Sequence, residues 1–540
     1  MTQTVVSRRT FLRTTASAAA ATGLLYGGCG GGDEDEKDSG TPNGSPTAGS
    51  IKKGGIYRLA STTPALTIDP LTEVTMGLVY IIYLYGFLLH QFQQLKGAPI
   101  LVFDHAESLE NPDDLTYIFK LRSGIKFQNL PPVNGRAISA EDVKYSLQRL
   151  MSQPATPFWT SDITDISVPD PSTLKISLAN VYAYTLGQFS GSGTAILPHE
   201  AVEQFGDLKH NAIGSGPFMA RTPYSGDSID MERNPDYYVP NIPYLDGISS
   251  RTFADDAAIQ AAFKAQQVDV YAPPSKIQAD SVAAASNHVT IIKDPNLAYY
   301  QINLNEIKAS VLQDVRVREA LDISLDRDAM IDKLCFGDGN YTGPVSWGLE
   351  FWSLPQEELR QRYKRDVGKA RQLLEAAGVS DLTLQLKVQN LYSDLAAMIK
   401  AQAAEAGITI NIVSQELGSW ISDLYSANYE LMVGVGLPYA DESQPLQFNH
   451  TLNWTRKGIP VHLPEPENDA ILEKILVTPD INERQKLVLD VTRKIIDRHG
   501  PFLYLYAPYA YTARWDYVRG FDGVPPTMVY YTYDVWLDKG

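Results

Sequence analysis

The residues best placed to do chemistry stand in the stretch Tyr429–Asp441, which reads Tyr-Glu-Leu-Met-Val-Gly-Val-Gly-Leu-Pro-Tyr-Ala-Asp. Pro438, Tyr439, Asp441 and Glu442 make a polar, aromatic loop, the kind of segment that carries function when a rigid scaffold positions it. The chemistry is recognition, since flat amphipathic rings give contact area at little entropy cost. Its scaffold is the short apolar run Glu430–Val433, which reads as a buried strand. That run ends at Gly434 and Gly436, where the backbone can turn or let something approach closely. The same residues also read, more blandly, as a strand and its turn.

Bond-making chemistry has no comparable signal. The chain contains no His-Glu-x-x-His, no Gly-x-Ser-x-Gly, no Gly-x-x-x-x-Gly-Lys phosphate loop and no cysteine pair with metal spacing. Gly191-Ser192-Gly193 and Gly214-Ser215-Gly216 look suggestive only if read loosely. The 8 histidines are scattered, so no dedicated metal site is expected, although a metal chelated by its own ligand could be carried. No cofactor is implied.

The elements that must position such a loop belong to a large globular chain. Single cores stop growing near about 250–300 residues, so 540 residues predict at least two lobes. A formal charge of −17 disfavours nucleic acid and anionic membrane surfaces through bulk electrostatics. Residues 1–29 read as an address: Ser7-Arg8-Arg9-Thr10-Phe11-Leu12-Arg13 before the small-residue run Ala16–Leu25 resembles a twin-arginine export signal. Leu25-Tyr26-Gly27-Gly28-Cys29 resembles a lipoprotein cleavage box, with Tyr26 where an aliphatic residue is usual, and makes Cys29 the lipidation candidate. Cleavage before Cys29 would leave 43 basic and 63 acidic side chains, a charge of −20. With Cys335 as the one other cysteine, an acylated Cys29 leaves no intramolecular disulfide, and the core alone must hold the fold. Residues 30–53, rich in Gly, Asp, Glu, Ser and Pro, read as a flexible tether holding a soluble body near a membrane.

Along the folded part, Val79–Leu89 reads as a buried helix too short to span a bilayer. Leu115–Arg122 and Gly124–Phe127 alternate as strands, and Ser139 caps a helix with Val143, Leu147, Leu150 and Met151 on one face. Strand 382–388, helix 394–406 and strand 408–413 predict a β-α-β unit.

The string Leu121-Arg122-x-Gly124-x-Lys126-Phe127, followed by Ala140-Glu141-Asp142-Val143, closely resembles the family 5 extracellular solute-binding proteins, the oligopeptide, dipeptide and nickel receptors of ABC importers. Extra residues around Leu130–Val133 depart from the family's loop. The resemblance continues in Ile213-Gly-Ser-Gly-Pro-Phe218, Glu232-Arg-Asn-Pro-Asp-Tyr-Tyr238, Tyr299-Tyr-Gln-Ile-Asn303 and Asp314-Val-Arg-Val-Arg-Glu-Ala-Leu321. It implies an α/β, two-lobe, Venus-flytrap fold with an extra subdomain and discontinuous lobes, closing over a solute by hinge motion. The division is lobe I at 54–86, 181–298 and 506–540, a subdomain at 87–180, and lobe II at 299–505. The implied partners are a small solute and the permease subunits, with ATP hydrolysis on other subunits. The receptor itself would be no enzyme, and would be a monomer at the outer face of the cytoplasmic membrane or in the periplasm.

Carried over by motif, the ligand contacts would be Thr75, Met76, Phe158, Trp159, Tyr299, Leu417, Trp420, Gly436, Leu437, Pro438, Tyr439, Asp441, Tyr506 and Tyr509. Peptide-binding members place an aspartate after the Gly-x-Gly-Ala run to pair with the peptide's free amine. Here the glycines and Tyr439 put Pro438 there, and losing such a pair costs about 2–5 kcal/mol unless Asp441 or Glu442 replaces it. A peptide-like solute stays the family expectation, with an oligosaccharide, an opine or a metal chelate as alternatives and a lipid-anchored sensor or adaptor as a third class.

Overall fold

The computed structural model describes residues 5–6, 51–72, 77–92, 97–153, 158–221, 223–224, 226–436, 443–451, 461–521 and 534–539. Cys29, Thr75, Met76, Leu437, Pro438, Tyr439 and Asp441 lie outside the described residues.

The largest sheet has eight strands and carries the elements that matter for function. Its parallel part is the predicted β-α-β unit: strand Thr383–Gln389 pairs in parallel register with Thr409–Gln415, and helix Ser393–Glu405 joins them. Leu384, Leu386 and Val388 are buried, and so are Leu395, Ala396, Ile399 and Ala403, which recur on one helical face. Each of the Leu, Ile and Val side chains contributes about 1.5–3 kcal/mol by leaving water, which makes the sheet and helix face one core. Strand Leu431–Gly436 lies on the other side of Thr383–Gln389, also parallel, and Tyr299–Leu304 follows it antiparallel.

One long strand, Phe502–Trp515, then links two parts of the molecule. Its first half pairs with Tyr299–Leu304, from Asn303 opposite Phe502 to Tyr300 opposite Tyr506, with a register shift between Tyr300 and Gln301. Its second half pairs with Val289–Pro295, from Tyr509 opposite Pro295 to Trp515 opposite Val289. Strand Val270–Tyr271 pairs with the other side of this second half, and the far end of the ribbon so formed meets a second, four-stranded sheet, 56–61, 247–252, 228–233 and 218–220. Buried Asp269 makes that junction, accepting from the Arg58 amide at 2.7 Å and from the Tyr517 hydroxyl at 2.8 Å.

A separate antiparallel sheet, 106–113, 116–121, 173–178 and 163–170, packs against helix Ala140–Met151. That helix opens with the expected cap: the Asp142 carboxylate accepts from the Ser139 amide at 2.8 Å, closing a capping box. The predicted helix over Val79–Leu89 is shorter than expected. It runs Gly77–Leu84, and Leu89 already begins the strand Leu89–Phe92. Gly86 explains the break, because a Cβ there would sit 2.0 Å from the His105 ring, and its backbone bridges Ile196 instead of continuing a helix. Val5–Val6, inside the stretch read as an export signal, lies parallel to Leu101–Val102. No helix among the described residues is long and apolar enough to cross a membrane.

Candidate functional site

The parallel strands 383–389, 409–415 and 431–436 share a carboxyl edge, the side of an open α/β sheet where ligands bind. Helices Ser393–Glu405 and Leu417–Tyr425 start from that edge, and the antiparallel neighbour begins there at Tyr299, opposite Gly436. Tyr299, Leu417 and Gly436 therefore gather at one rim. Phe158 and Trp159 begin the short 3-10 turn Phe158–Asp162 that leads into strand 163–170.

The glycines of this edge are explained by their cross-strand partners. A Cβ on Gly436 would lie 2.2 Å from the Tyr299 ring, and one on Gly434 would lie 2.6 Å from the Asn303 amide. Tyr299 is 4% exposed and its hydroxyl donates to the Pro344 carbonyl at 2.9 Å, so this ring is held inside the protein. Trp420 is also buried, donating Nε1–H to the Val433 carbonyl at 3.2 Å, while Leu417 stands half exposed at the first turn of its helix. Beneath that helix Asp423 accepts from Lys387 and Gln415, each at 2.6 Å, and from Asn428 at 2.7 Å. Burial raises the Asp423 carboxyl, and these donors outweigh burial and hold it at about 2.

Successive strand residues face opposite ways, so Tyr300 points to the other side of the sheet from Tyr299. There it meets Tyr506, with ring centroids 5.0 Å apart, and the edge of Tyr392 at 5.4 Å. The Tyr300 and Tyr506 rings belong to a cavity of about 370 Å³ at the point where the ribbon changes partners. Tyr506 and Tyr509, both expected from the sequence, line it, together with Pro273, Pro274, Asn296, Cys335, Phe336, Asp338, Pro508 and Tyr511, which were not. The missed residues leave faint signals, a Pro-Pro step just after strand Val270–Tyr271 and a helix stopping at Gly337, and neither reveals that the two segments meet.

The cavity's electrostatics are internally balanced. Asp338 accepts from Lys293 at 2.6 Å and from the Tyr511 hydroxyl at 2.5 Å. Burial raises this carboxyl, and the two donors outweigh burial and lower it. The Lys293 ammonium also lies 4.0 Å above the Tyr509 ring, whose edge meets Trp347 at 5.4 Å. Burial pushes the Cys335 thiol up to about 12 and Tyr300 up to about 12, so neither ionises at neutral pH. The cavity offers rings, hydroxyls and amides, and no activated nucleophile.

A second constellation looks more reactive. His105 Nδ1 lies 3.1 Å from Asp104 and Nε2 lies 2.8 Å from the Ser215 hydroxyl, the spacing of an acyl-transfer triad. Ser215 is the serine of the Gly214-Ser215-Gly216 string. Both His105 and Ser215 are 1% exposed, and Asp104 is further held by the Tyr238 hydroxyl at 2.5 Å, the Phe87 amide at 2.9 Å and His90 at 3.2 Å. Burial raises the Asp104 carboxyl, and the His90 and His105 rings outweigh that and hold it well below the usual carboxylate range. The network ties together four chain segments around Phe87, Asp104, Ser215 and Tyr238, with Asp104, His105 and Ser215 buried and Tyr238 partly exposed.

The chain is similar to known proteins both by sequence and by structure. By sequence the chain is 25% identical over 495 residues to the oligopeptide-binding protein AppA of Bacillus subtilis, covering 84% of this chain and 86% of that one. It is 25% identical over 448 residues to the probable D,D-dipeptide-binding periplasmic protein DdpA of Escherichia coli, covering 79% and 83%. By structure it is similar to the periplasmic binding protein DppA of Helicobacter pylori, solved with the peptide STSA, at a TM-score of 0.72, 22% identity, and 90% and 99% coverage. That likeness gives the chain the mixed α/β, two-lobe fold of periplasmic binding proteins. The model of the bacterial extracellular solute-binding proteins, family 5 (Middle), matches residues 101–455, more than half the chain, and with the edge and cavity in place this chain belongs to that family of solute-binding receptors.

Proposed function

We propose that this receptor serves an ABC importer, capturing a peptide or peptide-like solute between its lobes and delivering it to a membrane permease. The carrying observation is the tyrosine-lined cavity at the ribbon's change of partner, where Tyr300, Tyr506 and Tyr509 converge. The names of its relatives, an oligopeptide-binding and a probable dipeptide-binding protein, support a solute of that class. The ribbon supports a hinge: bending between Pro295 and Tyr299 and between Tyr506 and Tyr509 would close lobe I (54–86, 181–298, 506–540) on lobe II (299–505), with 87–180 as a subdomain. Solute contacts made only in the closed state would offset the cost of closure.

Tyr299, Trp420 and Gly436 shape the rim by packing. Leu417, Tyr506 and Tyr509 would contact the solute, and the family resemblance adds Thr75, Met76, Phe158, Trp159, Leu437, Pro438, Tyr439 and Asp441 to the proposed contacts. Receptor action without turnover is supported by the sealed state of Asp104–His105–Ser215 and by the protonated thiol of Cys335. Delivery by the twin-arginine signal and acylation at Cys29 would hold a monomer at the outer face of the membrane. An oligosaccharide is the second reading, favoured by the tyrosine lining.

Thermal unfolding and small-angle scattering with a panel of peptides, oligosaccharides and chelates test this. A bound solute raises the melting temperature and reduces the scattering radius. Stabilisation with conversion of the solute, or none across the panel, contradicts it.

A further inference from the structure

The cavity's rim holds an aromatic side chain that packing does not explain. Phe336 follows helix Arg327–Leu334 with φ +55°, in the left-handed region that costs a bulky residue free energy, and it is 49% exposed. Gly337 beside it, at φ +79°, shows what residue type that backbone ordinarily takes. A phenylalanine whose conformation is strained, and whose ring gains little burial, stands at the mouth of a cavity floored by tyrosines.

The rest of the lining says what such a ring would meet. The charges there are already paired: Asp338 with Lys293 at 2.6 Å, and Lys276 with Asp280 at 2.7 Å. A charged ligand terminus would have to displace one of these pairs, whereas an uncharged one leaves them intact. Pro273, Pro274 and Pro508 lack amide hydrogens, so these wall segments cannot donate to an extended peptide as an added strand does. The hydroxyls of Tyr300 and Tyr509 have no hydrogen-bond partner among the described residues. Ring faces interleaved with uncommitted hydroxyls complement a pyranose, which has an apolar C–H face and a rim of hydroxyl groups.

We infer that Phe336 is a specificity-determining residue whose ring, with Tyr300 and Tyr509, clamps a neutral sugar ring of an oligosaccharide solute. The inference rests on the receptor reading above and selects its second solute class. Phe336→Gly separates the role from a structural one, because glycine removes the ring and suits the left-handed backbone. Full-length protein and this variant are titrated with neutral di- and trisaccharides, with free tri-alanine, and with N-acetylated tri-alanine amide. Intrinsic tryptophan fluorescence is the binding signal and thermal unfolding the stability signal. A neutral saccharide binds the parent and raises its melting temperature; the variant unfolds at the same temperature or higher without ligand and binds the saccharide at least tenfold more weakly.

Binding of tri-alanine, free or blocked, in preference to every saccharide overturns the sugar assignment while leaving the receptor reading in place. Unchanged saccharide affinity in Phe336→Gly, or a lower melting temperature with unchanged affinity, overturns the role of Phe336. Binding of no probe overturns the sugar assignment and also counts against the receptor reading.

Discussion

The sealed network at Asp104 and the open cavity at Tyr506 use overlapping residue types to opposite ends. Asp104, His105, Ser215 and Tyr238 have the geometry of a reactive site, but their polar atoms are spent on holding chain segments together, and Asp104, His105 and Ser215 are buried. Tyr300 and Tyr509 have no reactive geometry and keep their hydroxyls uncommitted beside a space large enough for a small solute. Chemistry in this protein follows access rather than nucleophilicity. Removing a group from the first region should cost stability and leave binding alone; removing one from the second should weaken binding.

The largest effect should come from Asp104→Ala, which leaves two histidines, the Tyr238 hydroxyl and the Phe87 amide without their shared acceptor. Breaking a buried pair from one side costs about 3–5 kcal/mol. Denaturant unfolding should show that loss, with solute affinity unchanged once the variant is kept folded. A loss under about 1 kcal/mol, the size of one ordinary hydrogen bond, would mean the network is not structural.

Next comes Asp423, which anchors the rim helix to the sheet. Its carboxyl is held at about 2, below the ordinary value of 3.8, so its stabilisation is fully present above 3.8 and is lost as pH falls through about 2. Asp423→Asn should cost about 1.5–3 kcal/mol at neutral pH, the range for hydrogen bonds to charged groups, and shrink to nothing near pH 2. Unfolding curves collected from pH 7 to 2 check both the size and the sign.

Tyr509→Ala differs by weakening binding as well as stability. It gives up the Lys293 and Trp347 contacts, worth about 1 kcal/mol each, while solute affinity should fall tenfold or more, about 1.4 kcal/mol. An unaltered dissociation constant would remove this residue from the site. Smallest is Ser215→Ala, expected to cost about 1 kcal/mol for one neutral hydrogen bond and to change no solute measurement.

What the sequence revealed follows from how local each feature is. Ser139 and Asp142 are three residues apart, so the helix start was legible, and the 383–415 β-α-β unit was legible from alternation and helical periodicity. The end of the helix after Leu84 was not, because the ring that stops it, His105, arrives from another segment. Gly434 and Gly436 announced a close approach without naming the visitor, which proves to be Asn303 and Tyr299 from the neighbouring strand. The cavity joins residues near 273, 336 and 509 through antiparallel pairing across more than 160 positions, which no short window of sequence contains. Tyr506 and Tyr509 were named as ligand contacts through family resemblance, whereas Phe336 and Asp338 came into view only with the cavity that the fold assembles.

The central claim, capture without turnover in the tyrosine-lined cavity, is tested most directly by native mass spectrometry of the full-length receptor purified gently from its own cells, beside Tyr509→Ala. The account predicts a small solute retained by the parent, released unmodified on denaturation, and absent from the variant. Equal retention by both proteins, or recovery of a converted product, would contradict it.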